Sequence, residues 1–115
     1  MMKRLLAAAF VFALSCGAAH AVNFCYVTEF SDASQPVVRT PPVVDQTAVT
    51  VSAASAQSAA FGGDSKIVRI SCDTTVSSAF GANPTATVNN MRLPANVPEY
   101  FYIIPGQKVA FITNQ

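Results

Sequence analysis

The residues able to do chemistry in this chain are few: Cys16, Cys25 and Cys72, a single histidine at position 20, six carboxylates, and Lys66 beside a serine. His20 and Cys16 fall in an N-terminal segment that reads as a removable leader. Without that segment the chain has no histidine, and so no ready general base near neutral pH. Neither a Ser-His-Asp nor a Cys-His device can then be assembled. Two cysteines 47 positions apart are a weak zinc signal. The carboxylates Glu29, Asp32, Asp45, Asp64, Asp73 and Glu99 lack the spacing of a calcium loop, and no paired-carboxylate arrangement is indicated. Asp64 in "GGDS" reads as a turn cap. A Ser-Lys dyad at Lys66 is formally open, but a lysine flanking a strand is more simply a solvated charge that discourages edge pairing. "FGG" and "FGANP" are isolated turns, not a phosphate loop. The expectation is a protein that is not an enzyme and takes no metal or cofactor.

Cys25 and Cys72 carry the strongest chemical signal. "MMKR", the apolar run "LLAAAFVFALSCGAA" and the small residues of Ala19-His20-Ala21 follow the plan of a secretory signal, with cleavage expected after Ala21. The run is short for a membrane span, so no stable membrane insertion is expected after cleavage. Two alternatives stay open: retention as an anchor, and lipidation at Cys16, where "ALSCG" is a poor lipobox. In an exported chain an even pair of cysteines reads first as a disulfide. A Cys25–Cys72 bond would close a loop of nearly fifty residues, and a small domain needs such a staple. The expected site is periplasmic, extracellular or on a virion surface.

Cleavage leaves 94 residues, one small domain at 22–115. Its five basic residues, Arg39, Lys66, Arg69, Arg92 and Lys108, are scattered among six acidic ones, giving a net charge of −1. Nucleic-acid binding needs clustered Lys and Arg, so none is expected. A basic amphipathic membrane face is missing too.

The elements that must position these residues read as strands. "NFCYVTEF" (23–30) is rich in aromatic and β-branched types. Pro36, Pro41 and Pro42 make the stretch at about 36–44 an extended, edge-like strap. "QTAVTVS" (46–52) alternates, and a strand is expected at 57–61. In "KIVRISCD", Val68, Ile70 and Cys72 share one face and Ile67, Arg69, Ser71 and Asp73 the other. "VSSAF" (76–80) and "TATVNNMRL" (85–93, turning at Asn89-Asn90) follow. "EYFYII" (99–104) and "KVAFITN" (108–114) are expected to form a hairpin about Pro105-Gly106. Seven to nine short strands with regular turn punctuation predict an all-β fold, a single small antiparallel β-sandwich or jelly-roll-like barrel. The expected core is Phe24, Tyr26, Val49, Val51, Phe61, Val68, Ile70, Phe80, Tyr100, Tyr102, Val109 and Phe111. "EYFYII" is apolar on both faces, so it is either central and covered twice or meets another chain. Tyr100, Phe101 and Tyr102 are therefore the candidate protein contact.

Several pieces together resemble a group of small β-rich proteins encoded among the structural genes of tailed phages and prophages. They are Tyr26 to Phe30, Phe61, Val68-Arg69-Ile70, "FGANPTAT" (Phe80 to Thr87), Met91-Arg92, Ala95-Asn96, Glu99 to Phe101 and "PGQKVAFI" (Pro105 to Ile112). The likeness spans nearly all of the chain after the leader, and its motifs are strand and turn pieces. It implies a virion-associated accessory role, such as head decoration or a fibre component, and it carries over no catalytic or binding residue. The export signal and the cysteine pair are additions to that pattern, and both suit an oxidising compartment. The cysteine spacing also resembles chaperone-usher pilins, although the chain is short for one and lacks the usual aromatic near its C terminus. The expected function is structural or assembly work, with self-association or a protein partner at a virion or cell-envelope surface. The alternative is a secreted binding module: an adhesin, a pilin-like subunit or an inhibitor.

Overall fold

The computed structural model describes residues 21–34 and 37–115. The expected leader, except Ala21, lies outside them, as do Cys16 and Pro36. The strands are β1 (Asn23–Phe30), β2 (Ala33–Ser34), β3 (Val37–Val38), β4 (Val44–Asp45), β5 (Val49–Val51), β6 (Ala56–Gln57), β7 (Ile67–Cys72), β8 (Val76–Gly81), β9 (Met91–Leu93), β10 (Glu99–Tyr102) and β11 (Lys108–Thr113). Nine of them form two sheets with antiparallel pairing throughout. One sheet runs β10-β7-β1-β4, with β5 also on β1; the other runs β6-β11-β8-β9. The nine strands of the sandwich match the expected seven to nine, and β2 and β3 make a separate small ladder beside them.

The alternation of the sequence sets the two faces. In β7, Val68, Ile70 and Cys72 are buried while Arg69 and Ser71 are half-buried, as the pattern requires; Ile67, on the other face at the start of the strand, is buried as well. Val49 and Val51 of β5 meet Val68, Ile70 and Cys72 from the same sheet. Val76, Leu93, Val109 and Phe111 close the core from the other sheet, joined by Phe61. This is the β-sandwich arrangement, with apolar side chains of two inner faces interdigitating. Each fully buried residue such as Ile70 or Phe111 contributes about 1.5–3 kcal/mol through its lost water contact.

β1 corrects the expected core. Cys25, Val27, Glu29 and, at its end, Phe30 are its buried residues, and Tyr26 is 46% exposed. Phe24 is half-buried and its ring lies 6.3 Å from that of Tyr26. A strand offers one parity to the core, and Cys25 fixes it. Cys25 stands directly opposite Cys72, so its odd-numbered neighbours turn inward and the aromatic Phe24 and Tyr26 turn out. Tyr100 and Tyr102 are also outside, for the same reason: they sit opposite Arg69 and Ile67 on the outer face.

The expected hairpin between "EYFYII" and "KVAFITN" does not form. β10 pairs with β7 in one sheet, and β11 lies between β6 and β8 in the other. The turn itself is there: Gln107 N–H donates to Ile104 C=O at 3.1 Å, and Gly106 has φ of 85°. Proline and then a positive-φ glycine are what a type II turn asks for. Here the turn carries the chain across the sandwich rather than back along it. A local pattern specifies the reversal but not which sheet receives the next strand.

Two smaller expectations change. Only Ala56–Gln57 of the region around 57–61 is strand, although Ser58 N–H and Phe61 N–H still bond to Val109 and Gln107 carbonyls at 2.7 and 2.8 Å. Only Met91–Leu93 of 85–93 is strand. The preceding residues turn at 87–90, where Thr87 N–H donates to Asn90 Oδ1 at 2.6 Å and Asn90 N–H to Thr87 C=O at 3.0 Å. Asn side chains mimic backbone in this way and so favour turns over strands.

Candidate functional site

Cys25 and Cys72 are bonded, with S–S of 2.03 Å and Cα–Cα of 4.0 Å. Asp73 N–H donates to Phe24 C=O at 2.9 Å. That places the ladder bonds at odd β7 positions and leaves Cys25–Cys72 as a non-hydrogen-bonded pair, the closer of the two antiparallel spacings. The bond therefore joins neighbours on adjacent strands of one sheet, in the dry interior, and crosses no space between the sheets.

Glu29 is a second organising residue, and the sequence reading passes over it. It shares the inward parity of Cys25 and Val27 and is 1% exposed. Its Oε1 accepts from Gly62 N–H at 2.7 Å, and its Oε2 accepts from the Gln46 amide at 2.9 Å. Gln46 in turn accepts from Ala59 N–H at 3.0 Å. One carboxylate thus ties β1 to the end of the proline-containing strap and to the loop before β7. A buried polar group needs such partners. The signal was available: a carboxylate in phase with inward Cys25 and Val27. The Ser-Lys idea gains nothing from this region, since Lys66 is exposed and Ser65 is fully buried, its hydroxyl without a partner.

The expected contact residues sit on the flank of the molecule. β10 is the end strand of its sheet. Ile103 N–H donates to Lys66 C=O at 2.9 Å, which sets the phase of the ladder. Glu99, Phe101 and Ile103 direct their backbone toward β7, and Tyr100 and Tyr102 direct theirs away from it. The side chains divide the same way. Phe101 and Ile103 pack on the core, with the Phe101 ring 5.3 Å from that of Phe80. Tyr100 is 51% exposed, Tyr102 78% and Ile104 63%. A groove of about 170 Å³, lined in part by Phe80, Met91, Phe101 and Ile104, opens where this edge approaches β8 and β9 of the other sheet.

The other sheet margins among the described residues are short or charged. β4 and β6 have two residues each, and β4 includes Asp45. β5 has three residues. β9 has three, with Arg92 exposed, and Pro94 follows. These are the usual means of keeping an edge from pairing with another chain. From Tyr100 to Ile104 there is no charge at all, and the two outward-bonding residues are large and exposed.

No family model, curated protein or solved structure matches the chain. Among the described residues no helix is long and apolar enough to cross a membrane.

Proposed function

We propose that this chain is a non-enzymatic structural or assembly subunit, exported and disulfide-stapled, that adds to a larger surface through the β10 flank. The carrying observation is that unguarded edge, with Tyr100 and Tyr102 exposed beside the apolar groove. An exposed edge whose outward-bonding residues carry no charge is a template for pairing with another chain, and a contiguous apolar flank marks an interaction site. The likeness to tailed-phage accessory proteins supports a virion or envelope surface as the setting. Its shared motifs fall on the turns that shape the sandwich. "FGANP" holds Asn83 and Pro84, which accept hydrogen bonds from Gln57 at 2.8 Å; Asn96 has φ of 60°; and Gly106 makes the crossing turn. A buried disulfide suits an exported protein.

The test is a photo-crosslinking side chain placed at Tyr102, and separately at Val88, in the full chain expressed in its own host. Tyr102 is expected to give covalent adducts of defined mass in the envelope or virion fraction, and Val88, exposed on another part of the molecule, to give none. Equal labelling at both positions, or none at Tyr102, ends this reading.

The second reading is a secreted binding module. The groove beside β10 favours it, because an extended peptide could add to the edge and place side chains in the groove. Adducts of one soluble partner, absent from any assembly, would select that reading.

A further inference from the structure

We propose that the occupant of the β10 edge is a second copy of this chain, paired β10 to β10 about a two-fold axis through Phe101. The inference rests on the reading of β10 as the assembly edge and goes further by naming the occupant and the register.

The free backbone groups decide the geometry. Only Tyr100 and Tyr102 offer their N–H and C=O outward, as the ladder phase set by Ile103 and Lys66 shows. An antiparallel partner must meet them with outward-facing residues of its own. A two-fold pairing centred on Tyr100 would set Tyr102 against Pro98, which has no N–H to give. A pairing centred on Tyr102 would need the Ile104 carbonyl, already accepting from Gln107 N–H in the crossing turn. Centring on Phe101 matches Tyr100 of each copy with Tyr102 of the other and makes every outward group part of a pair. Four backbone hydrogen bonds and two tyrosine pairs on one face result, and cross-strand aromatic pairs are favourable.

Charge agrees with this register. Ile103 of one copy falls opposite Glu99 of the other, and Ile103 is bonded to Lys66 of its own β7. Glu99 of each copy therefore lies in the same row as Lys66 of the other, two strand spacings or roughly 10 Å away. No like charges meet, and the two-fold axis makes the attraction occur twice. The product is one continuous ten-stranded sheet, since each copy contributes five strands. A four-residue edge buries less than the roughly 1,200 Å² of a standard interface, so the dimer is expected to be reversible and concentration-dependent.

Sedimentation equilibrium of the exported, oxidised protein tests the occupant. A monomer–dimer equilibrium is expected. The double substitution Tyr100→Lys and Tyr102→Lys places like charges opposite each other and should weaken the dimer by at least about tenfold, with an unchanged thermal midpoint at concentrations low enough for both proteins to be monomeric, because both side chains are exposed. Mixing it with Tyr100→Glu/Tyr102→Glu should restore a mixed dimer. Register is read with single thiols and a short thiol-bridging reagent. Tyr100→Cys mixed with Tyr102→Cys should crosslink well above either variant alone. A monomer at all concentrations, a dimer indifferent to the double lysine substitution, or crosslinking no better in the mixture than alone would each overturn the proposal. Adducts at Tyr102 in cells together with a monomer in the centrifuge would remove the self-pairing and leave the assembly reading standing.

Discussion

Replacing both Cys25 and Cys72 by alanine removes the one covalent link among the described strands. The bond spans a sequence separation of 47, for which the chain-entropy treatment gives about 4 kcal/mol at 25 °C. The native geometry should persist, because Cys25 and Cys72 face each other at a close antiparallel position whose spacing the ladder already sets. The loss therefore falls mainly on the unfolded chain, which gains freedom it did not have. Both sites are buried, and alanine is smaller than cystine sulfur permits, so a modest packing loss adds to the effect. For a domain of this size each kcal/mol moves the melting temperature by about 4–8 °C, which predicts a fall of about 16–30 °C. Against a total stability of about 5–15 kcal/mol, that is a large share. Far-UV circular dichroism in urea is the suitable assay, since the chain has no tryptophan. The oxidised protein should also show a smaller urea slope than the variant, because its unfolded state stays looped. A difference below about 1 kcal/mol between oxidised wild type and double alanine would refute the reasoning, because it would mean the loop is not closed in the unfolded chain.

Glu29→Ala leaves the Gly62 N–H without its acceptor in a buried site, while the Gln46 amide keeps only the Ala59 carbonyl at 3.3 Å; at about 1–3 kcal/mol for an orphaned donor, urea titration should show a loss in that range. Gly106→Ala should cost about 1–2 kcal/mol from its φ of 85° alone, as no heavy atom lies within 4 Å of the added methyl; a neutral result by thermal melting would contradict the turn. Phe111→Ala empties the centre of the second sheet, where the side chain is fully buried, and should cost about 3–5 kcal/mol, enough to leave a large unfolded fraction in a scan.

Alternation along single strands carried much of this fold into view. The β7 pattern of Val68, Ile70 and Cys72 identifies an inner face, and the cysteine pair predicts a staple, but that the staple joins adjacent strands of one sheet is seen only in the pairing of β1 with β7. Aromatic size misleads as a guide to burial at β1, where Phe24 and Tyr26 point away from the core. Parity decides that question, and Cys25 was the residue that set it. The pairing of β10 and β11 was hidden for a different reason. Pro105-Gly106 encodes a reversal, but whether the next strand stays in its sheet depends on which free edge, of β7 or of β8, accepts it, and that is a property of the assembled sandwich. The candidate contact was legible because "EYFYII" is apolar on both faces. Its outward half, Tyr100 and Tyr102, became distinguishable from Phe101 only once the partner strand was known. The inward phase of Glu29 is legible from Cys25 and Val27, but its partners are not, because the donors come from residues 46 and 62, far along the chain.

The place of β11 bears on how the polypeptide reaches its native state. β11 follows the other described strands in sequence yet is interior to its sheet, flanked by β6 and β8, and Val109 and Phe111 lie at the centre of the core. Until residue 113 is available, β6 and β8 have no strand between them and the inner face of β7 lacks Val109 and Phe111. Pairings this distant in sequence are slow to form. Closure of this sheet therefore waits on β11, the strand that joins β6 to β8.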